Sequence, residues 1–284
     1  MEYRLIALDL DGTLLGGRHE ISPRTRVALS RARERGIVLA VATGRSPQSA
    51  CHFSRLIGGG PVICCNGGGV LDAQGEYLSL KPIPPALLRR SLQICEESRL
   101  LLECYTPAGI VLDRPASHMG AYLRWVRPGM SLPRALGCVA GIWRTNRVAS
   151  VRSLVKWSER PDHPPVLKLM AVGGPETLAR AAGRLQREAP GLEVTSSGAE
   201  NLELTAAGVS KGYGLQMLCA RLQIPRQAIL AFGDSDNDLQ MLSYAGTGVA
   251  MGGAPAAVKA AAARVAPSAD EDGVASVIEE LCLR

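Results

Sequence analysis

Two aspartates, Asp9 and Asp11, end an apolar run, Leu5-Ile-Ala-Leu-Asp-Leu-Asp-Gly-Thr-Leu14. An apolar run without alternation reads as a strand buried on both faces, as in a parallel sheet. Residues i and i+2 of a strand point the same way, so the two carboxylates start on one face. Bare carboxylates at the end of a buried strand are costly and call for a cation or hydrogen bonds. A metal-assisted site answers that need, because Mg²⁺ takes a few carboxylate oxygens together with a substrate phosphate.

The stretch Ala231-Phe-Gly-Asp-Ser-Asp-Asn-Asp238 repeats the pattern: an apolar strand over 229–232, then Gly233 and three aspartates. Ligands of open α/β sheets bind beyond the carboxyl ends of the strands. Asp9 and Asp11, Thr43, Asn66, and Asp234 with Asp238 all stand at such ends. If their strands are neighbours, they converge on one crevice and hold a divalent cation. Asp236 is the exception, read as starting a helix and facing solvent. Lys211 follows Ser210 at a helix start, and a helix N-terminus with a nearby lysine suits a phosphate.

Each residue has a plainer reading when taken singly. Asp9 and Asp11 could cap a turn, and Thr43 could be a satisfied strand-end hydroxyl. Lys211 could be a solvated first-turn lysine, and Asn66-Gly67 a turn dipeptide. Asp238 could serve a helix dipole. The combination outweighs these readings for the acids, Thr43 and Lys211, and leaves Asn66 balanced between the two.

The elements that must position these residues alternate strand and helix. Residues 4–9 read as the first strand. A helix opens at Ser22-Pro23, with Ser22 as its N-cap, and Gly36 closes it. A second strand over 37–42 leads into Thr43-Gly44-Arg45, a helix covers 46–57, and a third strand covers 62–65 before Asn66-Gly67. This rhythm predicts a parallel sheet with right-handed crossovers. It breaks near Pro82-Ile83-Pro84. A helix over 85–98 follows, then strands over 100–105 and 110–113, then a stretch with proline breaks at 128, 133, 161, 164 and 165. A strand over 166–172, a helix over 176–188 and short strands over 192–195 and 202–205 complete this region. The core rhythm resumes with a helix from Ser210, strands over 228–232 and 248–251, a helix from Ser235, an Ala-rich 256–263 helix and a C-terminal helix over 271–282. The expected class is α/β: a Rossmann-like parallel-sheet core over 1–83 and 201–284, with an α+β unit over 84–200 inserted as a cap.

Composition narrows the function classes. Hydrophobic residues make up 46% of the 284, enough for a sizeable core, and the 4% of aromatics makes that core aliphatic. No segment reaches the roughly 18 apolar residues of a membrane span, and the first strand starts too early for a signal peptide. The eight cysteines are irregularly spaced with no CxxC pair, and read as reduced, mostly buried thiols of a cytoplasmic protein. The formal charge is +6, and residues 84–200 carry all of that excess, with 16 Lys+Arg against 10 Asp+Glu. This excess either attracts an anionic substrate or reflects the Arg-rich composition of the chain. No basic stripe interleaved with aromatics argues for nucleic acid. In the inserted unit Arg114, His118 and Arg144 read as ordinary surface residues.

The motif set resembles the haloacid dehalogenase superfamily, in particular the Cof-type phosphatases with a large α/β cap. The stretches that carry the resemblance are Asp9-Leu-Asp-Gly-Thr-Leu14, Ala42-Thr-Gly-Arg45, Ser210-Lys-Gly212 and Gly233-Asp-Ser-Asp-Asn-Asp238, in that order along the whole chain. Cys65-Asn-Gly-Gly68 and Glu200-Asn-Leu-Glu-Leu204 are similar to the same subfamily. The resemblance implies that Asp9 is the nucleophile, forming an aspartyl-phosphate, and Asp11 the general acid and base. It implies that Mg²⁺ binds Asp9, the Asp11 backbone carbonyl and Asp234, with Asp238 behind them. Thr43, Gly44 and Lys211 would hold the phosphoryl oxygens with help from Asn66 and Asn237, and the 15–18 stretch would move as the site opens. One departure stands out: Met251-Gly-Gly-Ala254 replaces the subfamily's usual Met-Gly-Asn-Ala, so Gly253 lacks an amide.

The function implied is an Mg²⁺-dependent phosphomonoesterase acting on small phosphorylated metabolites, sugar phosphates first among them, with no nucleic-acid or membrane partner. A phosphomutase, a phosphorylated-cofactor phosphatase, or a regulatory binding protein that kept the fold are the alternatives, since fold alone does not establish function. A binding protein would be expected to have lost Asp9, Asp11 or Lys211, and all are present. The oligomeric state leaves no mark in the sequence.

Overall fold

The computed structural model describes residues 2–17, 19–126, 130–196 and 198–284. Arg18, at the end of the 15–18 stretch, and the break at Pro128 lie outside them. The chain forms two compact units. One comprises Met1–Arg45, Ala50–Lys81 and Gly208–Arg284; the other comprises Ser46–Ser49 and Pro82–Ala207.

The chain begins with β1 (Leu5–Leu8), α1 (Pro23–Glu34), β2 (Val38–Ala42), α2 (Pro47–Leu56) and β3 (Val62–Cys64). The first three strands are parallel, with Leu5 opposite Val38 and Val41 opposite Val62. Every residue of β1 is completely buried, which is why the run shows no alternation. Ser22 caps α1 by accepting the Thr25 N–H at 3.1 Å, an interaction worth about 1 kcal/mol. The chain then adds β4 (Gly69–Leu71) and β5 (Tyr77–Leu80), an antiparallel hairpin absent from the sequence-based reading. Its strands are too short to show a period. The turn holding them is built by Asp72, whose Oδ1 accepts the Gln74 and Glu76 N–H groups at 2.9 Å.

The second unit runs through α3 (Pro85–Glu97), β6 (Leu101–Thr106), β7 (Gly109–Leu112), α4 (Pro115–Val126) and α5 (Leu132–Thr145). It continues through β8 (Ala149–Ser150), α6 (Leu154–Ser158), β9 (Lys168–Val172), α7 (Pro175–Glu188), β10 (Leu192–Thr195) and β11 (Asn201–Ala206). Its sheet order is β10-β11-β9-β6-β7-β8, antiparallel except for β7 beside β8. The division drawn at 200/201 needs correction. β11 lies between β10 and β9, so it belongs to this sheet, and the first unit resumes at Gly208. On one face Leu102, Cys104, Leu169, Ala171 and Leu204 pack with Leu88, Leu92, Leu178 and Leu185.

The residues alternating with those are Glu103, Tyr105, Lys168 and Glu203, all buried as well. Lys168 Nζ donates to Glu203 Oε1 at 3.0 Å. His118, expected at the surface, is also buried: its Nδ1 lies 3.2 Å from Glu103 Oε1 and its Nε2 3.9 Å from Asp113 Oδ1. A carboxylate buried on a sheet face needs a donor, and α4 supplies one through this histidine.

The first unit resumes with α8 (Lys211–Leu222), β12 (Ile229–Gly233), α9 (Leu239–Tyr244), β13 (Thr247–Ala250), α10 (Ala256–Ala261), β14 (Arg264–Val265) and α11 (Gly273–Leu281). Its sheet order is β14-β13-β12-β1-β2-β3-β4-β5, parallel from β14 to β3. β1 is therefore central, flanked by β2 and by β12, whose Ile229 stands opposite Leu5. The two strands that end in aspartates are direct neighbours. All eight cysteines are free thiols, and no helix among the described residues is long and apolar enough to cross a membrane.

Candidate active site

Where β1 and β12 end, the chain reverses sharply on the β1 side. The N–H of Leu15 donates to Leu10 O at 2.7 Å and that of Gly12 to Leu15 O at 3.0 Å, which closes a turn over residues 9–15. Gly12 has φ +82°, and a Cβ there would lie 2.3 Å from Asp234 Oδ2. The motif's glycine is thus required twice, by the turn and by the second acidic cluster. Thr13 Oγ1 donates to Asp234 Oδ1 at 3.2 Å and ties the two clusters together.

Lys211 is the first residue of α8, placed by Ser210, whose hydroxyl accepts the Tyr213 N–H at 3.0 Å. Its ammonium is buried and donates to Asp9 Oδ1 and Asp238 Oδ1, both at 2.7 Å. Burial works against that charge, but Asp238 and Asp9 outweigh it and hold the lysine protonated. The other oxygen of Asp238 accepts the N–H groups of Asp234 and Ser235, at 3.0 and 3.1 Å. Asp238, wholly buried, braces the loop after β12 while it orients the lysine.

Asp9, Asp234 and Asp238 can each bring a carboxylate oxygen within 4.8 Å of the others. Burial pushes the Asp9 carboxyl well up, with Lys211 opposing and Asp238 and Asp234 adding to the push. Burial and Asp238 raise Asp234 too. Four aspartates, counting Asp11, face two cations, Lys211 and Arg45, so full ionisation would leave two negative charges in excess, the charge that burial resists and a bound cation would offset. A set of hard oxygen donors with that surplus fits a divalent cation.

Asp11 stands apart. Its side chain is 51% exposed and is held by Arg45, whose Nε donates to Oδ2 at 2.8 Å. The Arg45 guanidinium also stacks on Phe53, 4.8 Å from the ring centre. Thr43 is buried just past β2, and its hydroxyl accepts the Arg45 N–H at 3.2 Å. Gly44 lies between them, half-buried. Asn66 is buried in a left-handed turn (φ +55°) after β3, and its Oδ1 accepts from Asn237 Nδ2 at 3.4 Å. Asp236 is exposed.

The residues singled out in the sequence thus stand at the ends of β1, β2, β3 and β12 and at the start of α8. Arg45 and Thr13 were quoted in the motifs without a role. Their position inside those motifs was the only signal, because a bidentate partner 34 residues away cannot be read from spacing. Gly253 has open space where a Cβ would stand, so backbone crowding does not account for the missing amide.

Comparison with known proteins agrees with this architecture. Residues 6–278 match the haloacid dehalogenase-like hydrolase family. The chain is 31% identical over 282 residues to the pyridoxal phosphate phosphatase YbhA of Escherichia coli, covering 98% of both. It is 29% identical over 281 residues to the 5-amino-6-(5-phospho-D-ribitylamino)uracil phosphatase YitU of Bacillus subtilis, covering 97% of this chain and 96% of that one. A haloacid dehalogenase-like hydrolase from B. subtilis superposes with a TM-score of 0.85 at 29% identity, covering 98% of this chain and 99% of that one. The chain belongs to the haloacid dehalogenase-like hydrolase family.

Proposed function

We propose that this protein is a metal-dependent phosphomonoesterase that works through an aspartyl-phosphate on Asp9. The observation that carries the reading is the buried Asp9–Lys211–Asp238 arrangement beside Asp234. It combines a fixed carboxylate nucleophile, a fixed ammonium and an acidic surplus that fits a cation. Asp9 and Asp234, with the Asp11 backbone carbonyl, would hold Mg²⁺, with Asp238 behind. The bound ion supplies neutralisation of phosphoryl charge.

An Asp9 oxygen attacks phosphorus as the bond to the leaving oxygen breaks, and Asp11 gives that oxygen its proton. Asp11 then takes a proton from water, whose oxygen attacks phosphorus; the aspartyl–phosphorus bond breaks and inorganic phosphate leaves. Dividing the displacement this way replaces one difficult step by two easier ones. Thr43, Gly44 and Lys211 position the phosphoryl oxygens, with Asn66 and Asn237 alongside.

The substrate class is a small phosphorylated metabolite. Sugar phosphates belong to it, but three of the relatives are named for other compounds: pyridoxal phosphate, a phosphoribitylamino-uracil and, in Serratia proteamaculans, HMP-PP. The test is hydrolysis of p-nitrophenyl phosphate with Mg²⁺ or with EDTA, alongside Asp9→Asn. Activity that needs both the metal and Asp9 supports the reading; turnover by Asp9→Asn would refute the covalent route. A panel of pyridoxal phosphate and sugar phosphates then orders the substrates.

A further inference from the structure

The 9–15 turn places Asp11, and what holds the far end of that turn lies at the other end of the chain. Gly17 N–H donates to Asp270 Oδ1 at 2.9 Å. The neighbouring Gly16 does not have the positive φ that would call for glycine, yet a Cβ there would sit 2.2 Å from Asp270 Oδ1 and 3.0 Å from its Cγ. A side chain at Gly16 would therefore displace the Asp270 carboxylate from its place against the backbone.

Asp270 is itself rigidly based. It sits in a short turn, Ala269–Glu271, closed by a reciprocal cap in which Glu271 Oε2 accepts from the Ser268 N–H at 3.1 Å and its hydroxyl at 2.6 Å. Upstream, the Ala266 N–H bonds to Ala250 O of β13 at 2.9 Å. Downstream, Gly273 has no room for a Cβ, which would meet Pro267 O at 2.1 Å. Ser22, which caps α1, also donates to Asp272. The segment leaving the turn is thus fastened to the 268–272 segment at Gly17 and again at Ser22. The turn itself carries Asp11 in an isolated bridge to Leu15, directly before Gly16.

We propose that Asp270 is a positioning residue for catalysis: its carboxylate clips Gly16 and Gly17 and so sets where the 9–15 turn holds Asp11. The proposal rests on the proposed function, in which Asp11 moves the proton. The clip touches no substrate and acts through the placement of one side chain, for which small displacements are costly.

The experiment compares Asp270→Ala, Asp270→Asn and Gly16→Ala by kcat and KM with p-nitrophenyl phosphate, and by amide hydrogen exchange over residues 10–20. Asp270→Ala is expected to lower kcat about tenfold with KM changed about twofold or less, and to speed exchange at Gly17. Asp270→Asn keeps an oxygen acceptor and is expected to retain most of kcat. Gly16→Ala displaces the carboxylate and should match Asp270→Ala, with the double variant no worse than either single one, as expected for residues acting as a unit. Unchanged kcat in Asp270→Ala, or an Asn variant as slow as Ala, would overturn the proposal. An inactive wild type would instead count against the phosphatase reading, and the exchange experiment would still report whether the clip exists.

Discussion

Arg45 grips the Asp11 carboxylate with a fork: Nε donates to Oδ2 at 2.8 Å and Nη2 to Oδ1 at 2.5 Å. Burial pushes this carboxyl up, but the hydrogen bonds and charge of Arg45 outweigh it and hold the group below its usual range. In the proposed mechanism Asp11 must carry a proton, so on that reading the fork is a resting arrangement that loosens before Asp11 protonates a leaving oxygen. Asp11→Asn should lower steady-state turnover about 10²–10⁴-fold. With p-nitrophenyl phosphate, whose leaving group needs no proton, the expected result is a stoichiometric burst followed by slow turnover, read by stopped-flow absorbance. The pair is half-exposed and contributes only about 0–1 kcal/mol, so the variant should melt close to the wild type.

Lys211 answers differently because it is buried. Lys211→Met leaves Asp9 and Asp238 facing each other with their shared donor gone. Removing one partner of a buried ion pair costs about 3–5 kcal/mol. Activity measured with Mg²⁺ and urea resistance measured without it should therefore both fall, and added Mg²⁺ should recover part of the resistance but not the activity.

Metal binding should register as stability even without turnover. A ligand at about 100 times its Kd stabilises the native state by about 2.7 kcal/mol. Millimolar Mg²⁺ is expected to raise the melting temperature of the wild type and of Asp9→Asn to different degrees. Asp234→Asn, which removes a carboxylate from the cluster, should abolish most of the shift. Differential scanning fluorimetry with and without EDTA measures this.

His118 gives the second unit a pH dependence of its own. Burial disfavours its charge, but Asp113 and Glu103 outweigh burial and push it from 6.5 up to about 9. Tyr122 and Tyr105 also donate to Glu103, at 3.3 and 3.1 Å, so the acid facing the histidine stays well satisfied. A group with a raised folded pKa contributes stability that is full below its unfolded value and lost as pH rises through the folded one. Stability should therefore fall between about pH 6.5 and about 9, and His118→Gln should flatten that part of the profile. Thermal melts followed by the near-ultraviolet signal across this range test it.

By itself the sequence determined the class of sheet and which polar side chains stand at the strand ends of the candidate site. Runs such as 5–8 and 229–232 are apolar throughout because both faces of a parallel strand are covered, and that pattern is local. The acids, Thr43 and Lys211 were legible because each stands at a strand end or helix start with its own short signal. The motifs also lie in an order that few folds share. What only the tertiary structure decided are relationships between distant residues. Arg45 reaches Asp11 across the β1–β2 neighbourhood, Asp270 holds Gly17 from the far end of the chain, and β11 joins the second sheet by pairing with β9 and β10. His118 reads as a surface residue until α4 is laid over Glu103. In each case the deciding energy is a hydrogen bond or a buried charge satisfied by a partner far off in sequence, and periodicity carries no record of such partners.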